Sequence, residues 1–169
     1  MSAKNFVIRF EGGEMDCVRF GKGEKIVIML PGLGDGLHTV KGTAAAMSIM
    51  YRKLAREYTV YMPSRRNNLP EGFTMADMAN DLRLAMQAEG ICSASIIGVS
   101  MGGMIAQHFA ADFPEMTEKL ILVVTSSGGD AKLNESVCEW MAQAQSGDHL
   151  ALMESNLRRI YTEAYYRKK

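Results

Sequence analysis

Polar and apolar residues alternate at the start of the chain and later give way to short, unbroken apolar runs. The alternating segments are residues 5–10 and 14–20, and the intervening Gly12 and Gly13 allow a tight turn, so this part predicts an antiparallel hairpin. An unbroken apolar run is typical of a strand that is covered on both faces, as in a parallel sheet. Four such runs are predicted to be strands: residues 25–30, 58–62, 93–99 and 119–125.

Helical spacing of the apolar residues separates these strands. Apolar side chains recur every three or four positions over residues 39–58, which predicts one long helix. Thr74 and Asp77 resemble a capping box that begins a second helix, ending near Glu89, and residues 101–112 are predicted to form a third. This alternation predicts an α/β fold: a mostly parallel sheet of about six strands with an N-terminal antiparallel hairpin and helices on both faces.

Two other segments lack the pattern of strands. Residues 64–72 are predicted to be a polar loop, in which Arg65 and Arg66 are solvated charges. From about residue 129 onward only helical periodicity is present. We therefore predict two parts: an incomplete α/β core over residues 1–130 and a helical cap over residues 131–169.

Composition excludes several classes of function. Of the 169 residues 47% are hydrophobic, enough for one globular core, and 19 basic residues are balanced by 19 acidic ones. The balanced charge argues against a nucleic-acid partner, and no apolar run has the length of a membrane span or a signal peptide, so a cytoplasmic protein with no membrane partner is predicted. The three cysteines lie far apart without metal-binding spacing, so we predict reduced thiols, no metal and no cofactor.

The most specific motif is Gly98-Val99-Ser100-Met101-Gly102-Gly103, which follows a predicted strand and begins a predicted helix. A G-x-S-x-G sequence at such a turn forces the serine into a strained conformation, and the small neighbours let its Oγ project above the sheet. The N-terminus of the following helix directs N–H groups and positive potential to the same place. The alternative is a glycine-rich turn with an incidental serine.

A second glycine-rich loop, Pro31-Gly32-Leu33-Gly34-Asp35-Gly36, directly follows the first buried strand. Its glycines allow the backbone to turn amides inward, so the N–H groups of Leu33 and Met101 are predicted to hold a developing negative charge. The competing interpretation is a dinucleotide-binding fingerprint. That fingerprint requires glycine at position 37, where this sequence has Leu37.

Together these motifs resemble those of the α/β-hydrolase-fold serine hydrolases, a group of esterases, lipases and aminopeptidases. The resemblance covers nearly the whole chain and corresponds to the N-terminal part of that fold. It implies that Ser100 is the nucleophile, that Leu33 and Met101 donate oxyanion-hole hydrogen bonds, and that the substrate is a small-molecule ester, thioester or amide. The chain departs from many members at Pro31, where they have a histidine.

The resemblance also implies a catalytic triad, whose members follow in the order serine, acid, histidine. Asp130 and His149 are the main pair compatible with that order. His108 lies on the helix after the nucleophile and precedes any usable acid, so we predict an ordinary helix-surface or interface side chain there. His38, just past the second loop, is expected at the rim of the pocket.

In the resembled family two more parallel strands follow and deliver the acid and the histidine. Without them, residues 119–125 form an open apolar sheet edge, which favours self-association or a partner chain. We therefore predict a truncated hydrolase that is poorly active by itself, because a serine without its histidine loses about a millionfold in kcat. Two alternatives stay open: a non-catalytic protein that binds small ligands, and a subunit completed in trans by a partner chain.

Overall fold

The computed structural model describes residues 3–36 and 38–166 and contains the predicted succession of strands and helices. The strands are β1 (Ala3–Phe10), β2 (Gly13–Gly21), β3 (Lys25–Leu30), β4 (Tyr58–Arg66), β5 (Ala94–Val99) and β6 (Thr117–Val123). The helices are α1 (Ala44–Met50), α2 (Leu54–Glu57), α3 (Met75–Ala88), α4 (Met101–Asp112), α5 (Ala131–Gln145), α6 (His149–Ile160) and α7 (Glu163–Tyr166). Short 3₁₀ turns lie at Leu33–Gly36 and Pro114–Met116.

The strands form one mixed six-stranded sheet in the order β1-β2-β4-β3-β5-β6. β1 pairs with β2, and β2 with β4, in antiparallel orientation, whereas β4, β3, β5 and β6 are parallel neighbours. This arrangement confirms the predicted fold class. Leu30 at the end of β3 pairs with Gly98 near the end of β5, so the loop after β3 and the turn after β5 meet at the same edge of the sheet.

β4 continues beyond its predicted end at Met62. Its ladder with β3 extends only to Tyr61, and on its other side Pro63 pairs with Cys17 next to a register shift in β2. Proline lacks the N–H of a ladder bond but is tolerated beside such an irregularity. The predicted loop over residues 64–72 is therefore wrong for its first three residues, which belong to the strand.

The single helix predicted over residues 39–58 is also wrong. α1 begins only at Ala44, because Gly42 has a φ of 84° and the N–H and hydroxyl of Thr43 both bond to the carbonyl of Val40, at 3.0 and 2.6 Å, in a turn. A further turn separates α1 from the four-residue α2. The apolar periodicity persists through these turns because the residues that produce it pack on one core cluster: Met47, Tyr51 and Leu54.

One core cluster lies on each face of the sheet. The first contains Leu82 and Phe109 and lies under α3 and α4, and we call this side the α3–α4 face. The second contains Phe20 and lies under α1 and α2, the α1–α2 face. Successive residues of β3 alternate between the two, since Ile28 belongs to the first cluster and Met29 to the second.

β6 forms one edge of the described sheet and lies two residues earlier than predicted. It ends at Val123 because Val124 has a φ of 45°, in the left-handed region that β-branched residues seldom adopt. The four apolar side chains from Leu120 to Val123 are each between 38% and 43% exposed. This edge of the sheet therefore presents an apolar surface.

The chain divides into two compact units, one ending at Ser127 and one beginning at Gly128, whereas the prediction placed the boundary after residue 130. In the second unit, Arg159 of α6 donates hydrogen bonds to Ser136 and Glu139 of α5. Across residues 3–36 and 38–166, no helix combines the length and hydropathy needed to cross a membrane.

Candidate active site

Ser100 occupies the sharp turn between β5 and α4, where the G-x-S-x-G motif predicted a turn from strand to helix. Its φ of 52° and ψ of −122° form a combination that residues other than glycine seldom adopt. The residue is exposed, and its side chain makes no capping hydrogen bond to α4. The hydroxyl is therefore accessible and is not used to hold the helix.

Two glycines allow this turn. A Cβ atom at Gly98 would lie 2.5 Å from the Cα of Gly103 and 2.8 Å from the Cβ of Ala106. A Cβ atom at Gly102 would overlap the carbonyl oxygen of Leu30. Such distances do not occur between real atoms, so only glycine lets α4 begin this close to both β5 and the end of β3.

The backbone of Ser100 is held by the segment at the end of β6. Its N–H donates to the carbonyl of Val123 at 2.9 Å, and its own carbonyl accepts a hydrogen bond from the hydroxyl of Thr125 at 2.7 Å. The left-handed conformation of Val124 turns the chain between these two contacts. Two strained residues thus lie next to each other, a pattern that is concentrated at functional sites.

The loop after β3 runs beside the serine hydroxyl. A Cβ atom added to Gly32 would lie 3.3 Å from the Cβ of Ser100 and 3.9 Å from its Oγ. Leu33 is the next residue of this loop, and Met101 is the first residue of α4, so the Met101 N–H has no partner carbonyl within the helix. The structure thus brings the segments that carry both predicted oxyanion donors next to Ser100, and the donor role itself stays a prediction.

Arg65 is not solvated, contrary to the sequence-based expectation. It is only 9% exposed, and its Nη2 donates to the carbonyl oxygens of Pro31 at 3.2 Å and of Gly32 at 3.0 Å. In a trans peptide the carbonyl and the following N–H point in opposite directions, so the bond to Gly32 also fixes the direction of the Leu33 N–H. Arg65 therefore anchors the loop that contains Pro31 and Gly32.

Arg66 is not solvated either. Its Nε and Nη2 form a bidentate pair with the carboxylate of Asp81, which is 3% exposed, and its guanidinium lies 4.8 Å from the ring centroid of Phe73. The hydrogen bond to Asp81 raises the pKa of Arg66 above its ordinary value. Sequence reasoning missed both arginines, although an Arg-Arg pair directly after an apolar strand was a usable signal.

The predicted acid and base lie in the second unit. The carboxylate of Asp130 caps α5 by accepting a hydrogen bond from the Leu133 N–H at 2.7 Å, and His149 is the exposed first residue of α6. In the first unit, His38 and His108 are both exposed. No histidine side chain makes a hydrogen bond to any described residue, so the source of a general base stays a prediction.

The three cysteine thiols differ in their exposure. All three cysteines are free, and burial raises the pKa of the Cys17 thiol far above its ordinary value, which makes that thiol unreactive. Cys92 and Cys138 are exposed. In the described part of the chain, histidine, cysteine and acidic side chains do not gather into a group of three that could hold a metal ion.

Comparison with known sequences matches residues 25–152 to the family described as alpha/beta hydrolase fold. RutD of Cronobacter sakazakii, a protein named as a candidate carbamate hydrolase, is 30% identical over 107 residues, which cover 60% of this chain and 37% of that protein. An uncharacterised protein of Mycobacterium tuberculosis is 32% identical over 111 residues, which cover 63% of this chain and 30% of that protein. The chain thus spans about a third of the length of these curated relatives.

Solved structures share the fold. Cfl2 from Burkholderia cenocepacia superposes with a TM-score of 0.71 at 15% identity, over 94% of this chain and 60% of that one. A serine hydrolase from Cycloclasticus zankles superposes with a TM-score of 0.65 at 21% identity, over 77% of this chain and 48% of that one. At such identities the likeness concerns the fold alone.

Proposed function

The chain belongs to the alpha/beta hydrolase fold family, and on this basis we propose that it carries the nucleophile and the oxyanion hole of a serine hydrolase. The substrate class is a small ester, thioester or amide. Ser100 is the proposed nucleophile, and the backbone N–H groups of Leu33 and Met101 are the proposed oxyanion donors. The observation that carries the proposal is the strained backbone of Ser100 between β5 and α4, with Gly32 beside its hydroxyl.

The proposed reaction is acyl transfer through a covalent intermediate. Ser100 Oγ attacks the carbonyl carbon and gives its proton to a general base, while the carbonyl oxygen becomes an oxyanion. The N–H groups of Leu33 and Met101 stabilise that charge, and the loss of one such donor typically lowers kcat about 100- to 1000-fold. Collapse of the intermediate releases the leaving group with a proton, and water then frees the acid from Ser100.

The general base is the open part of this mechanism. Asp130 and His149 are the main pair of this chain that follows Ser100 in the order that the fold requires, so they are the candidates for the acid and the base. An unassisted serine hydroxyl is a weak nucleophile at neutral pH, so we propose that the chain by itself turns over slowly. In that case His149→Ala changes the acylation rate of Ser100 less than about twofold, whereas a loss of about 1000-fold assigns the base to His149.

The name of one relative, RutD, supports the reaction class. RutD, by its name, acts on a carbamate, whose carbonyl carbon carries both nitrogen and oxygen. Attack by a serine hydroxyl and stabilisation of an oxyanion break the bond from such a carbonyl carbon to its leaving nitrogen or oxygen, in the same way as in an amide or an ester. Carbamate-like compounds therefore belong among the first substrates to be tested.

Acylation from an activated ester tests the proposed nucleophile. The chain is incubated with p-nitrophenyl acetate, and the acetylated peptide is located by mass spectrometry. Acetylation is expected at Ser100, to disappear in Ser100→Ala and to persist in Ser127→Ala, a control at another exposed serine. Acetylation that spreads equally over several serines, or that spares Ser100, would overturn the proposal.

A second candidate role is that of a subunit completed at β6 by a partner chain or a second copy. The exposed apolar side chains of Leu120, Ile121, Leu122 and Val123 favour it, since an unpaired apolar edge strand pairs readily with another chain. Sedimentation velocity is expected to show concentration-dependent association that Leu122→Lys prevents. A chain that stays monomeric up to high concentration would contradict self-association through this edge.

A further inference from the structure

A cleft of about 390 Å³ lies on the α1–α2 face, at the carboxyl ends of β3 and β5. We call it the methionine cleft because Met29, Met47, Met50 and Met62 line it. Met29 and Met62 are buried in the sheet, whereas Met47 is half-buried and Met50 exposed on α1. Its volume lies in the range of small-molecule binding sites.

The methionine cleft begins beside the proposed nucleophile. Gly32 and Val99 both line it, and Val99 directly precedes Ser100 in the chain. A Cβ atom at Gly32 would be only 3.9 Å from the Oγ of Ser100. A ligand that fills the cleft therefore has one end within reach of that hydroxyl.

The hydroxyl groups of the two lining threonines are already used within the protein. Thr39 donates to a carboxylate oxygen of Asp16 at 2.8 Å, and Thr43 donates to the carbonyl of Val40 at 2.6 Å. These bonds also hold the segment before α1 in place. His38 and Tyr51 carry the other polar side-chain groups of the lining, and the rest of the wall is mainly apolar, so the cleft fits a ligand that is mainly apolar along its length.

Methionine side chains suit one kind of apolar ligand in particular. They are unbranched and flexible, so they adapt to a narrow chain more readily than branched or aromatic walls do. A cleft of about 390 Å³ holds about a dozen atoms at the roughly 30 Å³ that one water molecule occupies in the liquid. This size matches a straight chain of about six to ten carbons with its carboxyl group.

We propose that the methionine cleft binds the acyl chain of the substrate, so that the protein prefers esters or thioesters of straight medium-length acids. The inference rests on the proposed function, because the cleft is an acyl pocket only if Ser100 attacks the acyl carbon. The binding part is nevertheless separable, since it concerns the cleft and not the chemistry of Ser100.

Binding is measured by calorimetry on the Ser100→Ala chain, with butanoate, hexanoate, octanoate and dodecanoate as probes. Each added methylene is expected to tighten binding by up to about fourfold until the cleft is full, after which the affinity levels off. Equal dissociation constants across the series, or no binding of octanoate, would overturn the proposal.

Two substitutions at Met47 locate the binding to the cleft. Met47→Trp, which fills the cleft from α1, is expected to weaken octanoate binding at least tenfold and to leave butanoate unchanged. Met47→Ala, which enlarges the cleft, is expected to move the levelling-off to longer chains, so the proposal stays testable even if Met47→Trp does not fold. The control Met153→Trp, at an exposed methionine outside the cleft, is expected to change neither. Octanoate binding that is unaffected by both Met47 variants would overturn the proposal.

Acylation of the unaltered chain separates this inference from the proposed function. If p-nitrophenyl octanoate acylates Ser100 at least tenfold faster than p-nitrophenyl acetate, both are supported. Acylation of Ser100 at equal rates by the two esters overturns the acyl-pocket inference and leaves the nucleophile intact. Chain-length-dependent binding without acylation of Ser100 overturns the proposed function and supports the role of a non-catalytic binding protein.

Discussion

The two faces of the sheet are packed very differently. On the α3–α4 face, helices of 14 and 12 residues cover the sheet, and two cavities beside the core measure about 30 and 10 Å³. On the α1–α2 face, the helices have seven and four residues, and the methionine cleft of about 390 Å³ lies open. The α3–α4 face therefore holds the turn at Ser100 in position, and the α1–α2 face has room for a ligand.

The packing of the α3–α4 face affects the conformation of Ser100, because α4 begins at the next residue. Ala106 and Phe109 of α4 are fully buried, and Leu82 and Met86 of α3 are buried in the same cluster. Close packing of this kind transmits strain instead of absorbing it. The backbone of Ser100 therefore stays in its strained conformation only while this face remains intact.

The largest loss of stability is expected from a substitution that creates a cavity in the α3–α4 face. Phe109→Ala should lower the free energy of unfolding by about 3–5 kcal/mol, because the ring is fully buried. Met47→Ala, in the wall of the cleft, should lower it by about 1 kcal/mol, because that side chain is half-buried and borders open space. Urea unfolding followed by circular dichroism measures both, and equal losses would break the contrast between the faces.

The next largest loss of stability is expected when the ion pair between Arg66 and Asp81, beside the α3–α4 face, is broken. Asp81→Ala leaves the guanidinium of Arg66 without its bidentate partner and should destabilise the fold by about 3 kcal/mol. The double variant Arg66→Met, Asp81→Leu removes both charges and should recover more than half of that loss, measured by the same urea titrations. A double variant no more stable than Asp81→Ala would show that the loss has another source than an unpaired buried charge.

Arg65 should affect the reaction more than the fold. Arg65→Met removes the hydrogen bonds to Pro31 and Gly32, so the Leu33 N–H is no longer held, and the acylation of Ser100 should slow about 10- to 100-fold. Arg65→Lys, which keeps the charge and a donor, should regain part of the rate. The free energy of unfolding in urea serves as the control, because a loss of positioning slows acylation without a matching loss of stability. A loss of rate that follows the loss of stability in both Arg65 variants would indicate general damage instead of a positioning role.

The smallest effect is a pH dependence at the start of α3. The side chain and backbone of Thr74 donate hydrogen bonds to Asp77, and they lower the pKa of that carboxylate below its ordinary value of 3.8. The stabilisation from this cap is therefore complete above pH 3.8 and is lost as the pH falls through the lower folded-state pKa. The melting temperatures of the unaltered chain and of Asp77→Ala should converge as the pH is lowered, and a constant difference would contradict this assignment.

The sequence predicted the parts of the fold that follow from local periodicity. The unbroken apolar runs identified β3 and β5, the capping box identified α3, and G-x-S-x-G identified the turn at Ser100. Each of these signals is local, so neighbouring residues suffice to specify it. The long helix over residues 39–58 failed because apolar spacing reports which side chains face the core, and turns can preserve that spacing.

The parts that the sequence did not predict depend on contacts between distant residues. Arg65 reaches a loop more than thirty positions earlier, and Arg66 reaches Asp81 across to α3. The methionine cleft arises where α1 is short and where β3 and β5 end beside the middle of β4, which no single segment encodes. A sequence does not show whether a long polar side chain is exposed. An arginine can be solvated in a loop, or it can be buried and donate a hydrogen bond to a carbonyl.

The central claim is that Ser100 is the reactive nucleophile, and covalent labelling tests it most directly. The chain is exposed to a fluorophosphonate probe, and the modified residue is identified by mass spectrometry over a time course. Slow labelling confined to Ser100, absent from Ser100→Ala and unchanged in Ser127→Ala, is the predicted result. Labelling that occurs elsewhere and leaves Ser100 unmodified would contradict the claim.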